Sequence, residues 1–106
     1  MAKIGIDIIE NQRINLEDKF LKRFLHDQEI TLLKELQSKE AQIQFASGRW
    51  AAKEALIKCV EHKVLPNTIN IIYKNNKPVI ENAIYKNIEI SISHEKNYSV
   101  AVALNI

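Results

Sequence analysis

The sequence is poor in the residues that several familiar chemistries need. Cys59 is the one cysteine among 106 residues, so no internal disulfide and no paired-cysteine metal site is available. Placed between Lys58 and Val60 in an apolar helical stretch, its thiol reads as buried and structural. Glycine and proline number two each, and neither a glycine-rich phosphate loop nor a nucleophile elbow occurs. Unbroken apolar runs last only a few residues, against the roughly 20 that a membrane span requires. Asp7 falls where a signal peptide would need its apolar stretch. A cytoplasmic protein with no membrane partner is expected. An excess of one charge is also missing: 15 basic and 13 acidic residues leave a net charge of +2. That balance admits an anionic partner, but aromatics are not interleaved with a basic stripe, which argues against nucleic acid. Arginine is scarce as well. Arg13, Arg23 and Arg49 stand against twelve lysines, and such rarity hints at sites needing a planar, bidentate donor.

What is present suits one domain, residues 1–106. A chain of this size buries only roughly 60–65% of its unfolded surface. An active site on the surface, or shared between subunits, is easier to build than a deep internal one. Residues 3–9 alternate as a strand, with Ile4, Ile6 and Ile8 on one face and Gly5, Asp7 and Ile9 on the other. Helical spacing follows over 16–25, then over 27–37 with Asp27 as a candidate N-cap. The longest helix is predicted from about 39 to 62, capped by Ser38 and ended before Pro66. Ile43, Ala46, Trp50, Ile57 and Val60 fit its apolar face, while Gly48, Ala51, Ala52 and Ala55 make a narrow surface for close backbone approach. The remainder reads as strands at 68–73, 78–80, 87–93 and 98–104, with Asn75-Asn76 as a tight turn. The fold class is α+β, an antiparallel sheet packed against helices.

Three positions invite chemical readings. Asp7 in an isoleucine-rich strand needs water, a lysine or a cation to compensate its charge. Glu54 stands four residues before Lys58, which fits a plain helical ion pair. Its setting among small and apolar residues also admits a strand-plus-helix carboxylate pair that holds a hard divalent ion. His94 opens a turn after Ser91-Ile92-Ser93, whose hydroxyls share a face with it.

Three blocks together carry a family resemblance. They are Gly5-Ile6-Asp7-Ile8-Ile9-Glu10 with Arg13-Ile14, Phe45 through Ala55 continuing to Lys58, and Ser91-Ile92-Ser93-His94-Glu95-Lys96 leading to Ala103. In order and spacing the chain resembles the holo-[acyl-carrier-protein] synthases, small bacterial 4′-phosphopantetheinyl transferases. The resemblance implies transfer of phosphopantetheine from coenzyme A to a serine of an apo-acyl carrier protein, releasing adenosine 3′,5′-bisphosphate. It implies Mg²⁺ on Asp7 and Glu54, with Glu54 also the candidate base and Lys58 on the leaving phosphate. It places Arg49 and His94 on other coenzyme A groups. It implies a homotrimer with sites at subunit boundaries. Carrier docking would fall to Arg13, Phe20, Lys22, Arg23 and Phe24. Some positions depart from the family pattern. Trp50 replaces phenylalanine, Cys59 a small residue, Glu61 through Pro66 a Gly-Thr-Gly-like loop, and Asn76-Lys77-Pro78 a Gly-Lys-Pro. The competing reading is a non-catalytic module that binds nucleotides or an acidic protein on the same fold.

Overall fold

The computed structural model describes residues 2–106. Strand β1 (Lys3–Glu10) leads through a 3-10 turn at Asn11–Arg13 into three helices, α1 (Asp18–Leu21), α2 (Asp27–Lys34) and α3 (Lys39–Lys58). Four strands follow: β2 (Ile71–Lys74), β3 (Lys77–Ile80), β4 (Ile88–His94) and β5 (Tyr98–Asn105). One antiparallel sheet has the order β1-β5-β4, and β2 and β3 form a separate hairpin. The predicted α+β class is observed.

Local chemistry explains where the elements start and stop. Ser38 caps α3 as expected, its Oγ accepting from Ala41 N–H at 3.0 Å. The helix ends at Lys58, short of the predicted 62. There Cys59 N–H turns back to the Leu56 carbonyl, and the Cys59 carbonyl is taken by Asn105 Nδ2 of β5 at 3.0 Å. Helix α2 is capped by His26 rather than Asp27. His26 Nδ1 accepts from Gln28 N–H, while Glu29 Oε1 accepts from His26 N–H at 2.9 Å, a reciprocal box. The predicted helix over 16–25 contracts to the four residues of α1, after which tight turns redirect the chain. Asn75 and Asn76 both take positive φ, 54° and 64°, and make the two-residue hairpin turn between β2 and β3.

Burial separates the two faces of the strands. Ile4, Ile6 and Ile8 point outward, 69%, 61% and 63% exposed, while Gly5 and Ile9 turn inward with Asp7 beside them. On β5 the partners of Asp7 and Gly5, Ala101 and Ala103, are likewise inside. Small residues are needed there because α3 lies close upon the sheet with its own small face, Ala51, Ala52 and Ala55. A Cβ on Gly5 would sit 2.0 Å from the Ala55 carbonyl oxygen, and one on Gly48 would sit 2.6 Å from His94 Cε1. Thus the close-approach surface is used inside the subunit, and of the predicted apolar face of α3 only Ala46 is fully buried. Larger side chains fill a second region around α1, α2 and the hairpin, including Leu21, Phe24, Leu33 and Ile71. Cys59 is fully buried, as its setting suggested. Among the described residues, no helix is long and apolar enough to cross a membrane.

Candidate active site

Asp7 lies midway along β1, opposite Ala101, on the strand face turned to α3. Because Gly5 lets the helix settle against the strand, Asp7 meets the last turns of α3. Lys58 Nζ donates to Asp7 Oδ1 at 3.2 Å and to the Ile6 carbonyl at 2.8 Å. Lysine 58 therefore bridges helix to strand instead of making a simple pair with Glu54. Burial raises the pKa of Glu54, and the negative charge of Asp7 raises it further; Lys58 partly opposes them. Arg13, Phe20 and Trp50 extend the Asp7–Glu54 cluster into an open cleft of ≈ 440 Å³.

Among the described residues, no three histidine, cysteine or acidic side chains converge as a ready-made metal cage. Two facing carboxylates do converge. Their mutual repulsion is what a divalent cation would relieve. Magnesium needs no more than one or two protein carboxylates, because water and phosphate oxygens complete its octahedron. The donor set fits such an ion.

The other predicted residues divide. Arg13, Lys22 and Arg23 are exposed, and of the three Arg13 lines the cleft. Phe20 is half-buried and stacks on Trp50, with ring centroids 6.0 Å apart. Phe24 is only 2% exposed and meets Trp50 edge-on at 5.1 Å. It is a core residue that backs the aromatic wall, so the docking role expected of it does not suit its position.

Arg49 is likewise turned inward. It is 4% exposed, donates to Glu29 Oε2 at 3.3 Å and to the Ile71 carbonyl at 3.1 Å, and lies over the Phe45 ring. Its donors hold α3 to α2 and β2, which leaves it poorly placed for a coenzyme A phosphate. The fully buried Glu29 also accepts from Lys53, whose ammonium reaches the carbonyls of Phe24, Pro66 and Ile69 at 2.7, 3.0 and 2.8 Å. Burial pushes Lys53 down to about 8, against the pull of Glu29. Sequence reasoning missed this cluster. Its traces were the rare arginine, a lysine set among alanines, and an acid three residues after His26. His94 stands apart from the acid pair, at the end of β4, with Nδ1 2.8 Å from Ser99 Oγ.

A fold of this kind is that of the phosphopantetheinyl transferases. Residues 3–103 match the profile of that group, and the chain belongs to the 4′-phosphopantetheinyl transferase superfamily. Its relatives narrow the family to the holo-[acyl-carrier-protein] synthases. The synthase of Mycoplasma capricolum is 46% identical over 101 residues, covering 95% of this chain and 91% of that one. A crystal structure of the Bacillus anthracis synthase in complex with coenzyme A superposes with a TM-score of 0.84 at 34% identity, covering 96% of this chain and 93% of that one. The Helicobacter pylori synthase in complex with coenzyme A gives 0.75 at 30% identity, covering 94% and 96%.

Proposed function

We propose that this chain transfers the 4′-phosphopantetheine group of coenzyme A to a serine of an apo-acyl carrier protein, releasing adenosine 3′,5′-bisphosphate. It acts as one cytoplasmic domain, residues 1–106. The observation that carries the reading is the meeting of Asp7 and Glu54 in one open cleft, with Lys58 bonded to Asp7. It occurs in a chain 46% identical to a holo-[acyl-carrier-protein] synthase.

In this reading Asp7 and Glu54 hold Mg²⁺. When bound, that ion supplies charge neutralisation and orientation of the pyrophosphate. Asp7 serves as a ligand through one side of its carboxylate while Lys58 holds Oδ1. Lys58 keeps an exposed ammonium beside the acids and faces the charge that grows on the leaving phosphate. Glu54 takes the serine proton, directly or through water. Its raised pKa makes it a better base than an ordinary surface carboxylate, and ligation of the ion limits how freely it does so. Arg13, Lys22 and Arg23 steer the acidic carrier, and Phe20 on Trp50 gives it an apolar contact.

The proposal includes a homotrimer with shared sites. Its support is the outward row Ile4, Ile6 and Ile8, continued on β5 by half-exposed Val100 and Val102 and by Leu104. A contiguous aliphatic sheet face is the kind of surface that subunits cover.

The deciding experiment mixes purified protein, coenzyme A, Mg²⁺ and an apo-carrier protein, then weighs the carrier. Gain of the phosphopantetheine mass, dependent on Mg²⁺, is expected. Tight binding of both substrates without mass gain would favour the non-catalytic module.

A further inference from the structure

Between α1 and α2 the chain makes a two-residue bulge. Leu21, Phe24 and Leu25 face the interior, while Lys22 and Arg23 between them face out. A helix of four residues keeps little direction of its own, so what aims this bulge lies elsewhere. Its peptide planes are held on both sides. In the plane that joins Lys22 to Arg23, Asn67 Nδ2 donates to the Lys22 carbonyl at 3.1 Å, and Arg23 N–H donates to the Phe20 carbonyl at 3.1 Å. In the plane that joins Phe24 to Leu25, Lys53 Nζ donates to the Phe24 carbonyl at 2.7 Å, and Leu25 N–H donates to the Leu21 carbonyl at 2.9 Å.

Asn67 is itself firmly seated. It is the middle residue of a 3-10 turn, Pro66–Thr68, whose first φ is fixed by proline. Thr68 Oγ1 and Thr68 N–H both donate to the Leu65 carbonyl, at 2.7 and 3.0 Å. Lys53 Nζ donates to carbonyls on either side of Asn67, those of Pro66 at 3.0 Å and Ile69 at 2.8 Å. One buried ammonium thus grips both the turn and the segment before α2, and the exposed Asn67 closes the same frame at the surface. The frame reaches the acid pair at two points. Glu54 follows Lys53 along α3, and Phe20, whose carbonyl holds Arg23 N–H, lines the cleft of Asp7 and Glu54.

We propose that Asn67 is a positioning residue for carrier recognition. By holding the Lys22 carbonyl it sets the direction in which Lys22 and Arg23 present their charge to an acidic protein, in a frame tied to Glu54. This rests on the reading that those two residues steer the acyl carrier protein. Asn67 brings no charge and touches no reacting group. Without its bond the Lys22 carbonyl turns to water, the 22–23 plane loses one of its two anchors, and both side chains fan over a wider range. Ordering them again on binding costs part of the charge complementarity that guides the carrier.

Asn67→Ala in the full chain tests it. The position is exposed, so the urea midpoint should stay near that of the wild type. In steady-state transfer, the KM for apo-carrier protein should rise about 2–10-fold, the range that one net hydrogen bond is worth. The KM for coenzyme A and kcat should hold. Asn67→Ser, one bond too short to reach the carbonyl, serves in every arm if the alanine chain folds poorly. The decisive arm repeats the substitution in a Lys22→Ala/Arg23→Ala chain. That chain keeps the backbone carbonyl that Asn67 holds but has no charge for it to aim, so Asn67→Ala should add nothing there. A cost as large as in the wild type would mean that Asn67 meets the carrier directly or supports the fold at large, and would overturn the proposal. Normal transfer by the wild type, with Asn67→Ala leaving the carrier KM unchanged or raising the coenzyme A KM equally, would overturn the proposal alone. A wild-type chain that transfers nothing would defeat the transferase reading, and the proposal with it.

Discussion

Helix α3 carries two acid–base clusters from adjacent residues, and they differ in almost everything else. Lys53 enters the interior, where it and Arg49 share Glu29, and where backbone carbonyls fill most of the remaining hydrogen-bond capacity. Glu54 and Asp7 face the cleft with carboxylate oxygens free, and the half-exposed Lys58 bonded to Asp7 keeps an ammonium proton to spare. Charge alone does not mark a functional site. The buried cluster is nearly saturated and so is committed to holding the turn before α2, α2 itself, the 66–69 turn and β2 onto α3. The open cluster is unsaturated, with two like charges brought together, and unsaturated charge is what binds ions and moves protons.

The largest effect should come from breaking the saturated cluster. Glu29→Gln leaves two buried cations without their counter-charge, and urea unfolding should show a loss of about 3–5 kcal/mol. A loss below about 1 kcal/mol would mean that the cluster is not what joins these elements.

Asp7→Asn or Glu54→Gln should do the reverse. Unfolding free energy should stay within about 1 kcal/mol of the wild type, while transfer rates fall about 10²–10⁴-fold. Full transfer at limiting Mg²⁺ by either variant would remove the acid pair from the site. Substantial unfolding of either would erase the distinction between the clusters.

The smallest effect sharpens the contrast through pH, where the two neighbours have opposite signs. The folded-state pKa of Lys53 is depressed to about 8 from 10.5, so the folded protein gives up that proton first. Its contribution should make stability rise with pH between those values. The pKa of Glu54 is raised, so its contribution should make stability fall as pH rises from 4.5 through the elevated value. Differences in unfolding midpoint between wild type and Lys53→Met, and between wild type and Glu54→Gln, should isolate the two slopes. Equal signs would refute the assignment of burial as the dominant influence on both.

Much of this architecture was legible because it is local. Alternation located β1, β4 and β5, Ser38 announced the start of α3, and Asn75-Asn76 announced the hairpin. The pairing of Asp7 with Glu54 came through the family pattern rather than through either residue's own setting. Alternation could not say which side of a strand is buried. Size favours isoleucine for the interior, but the close approach of α3 reserves that side for glycine and alanine. Nor could spacing reveal that Glu29 meets Arg49 and Lys53, since a contact across 20 or 24 positions leaves no periodic trace. Phe24 illustrates the same limit: it and Phe20 share helical spacing, and only packing against Trp50 separates the buried ring from the half-exposed one.

Gly5 sits two residues before Asp7 and touches the backbone of α3 one residue past Glu54, with no room for even a methyl group. It therefore works as a gauge block of zero thickness between the two carriers of the acid pair. A Gly5→Ala chain would insert a shim there. The two carboxylates would still be present, correctly ionised and on intact elements, but set to the wrong gap. Since a misplacement of about 1 Å can cost a hundredfold in rate, the tolerance of the site is kept by a side chain that consists of one hydrogen atom.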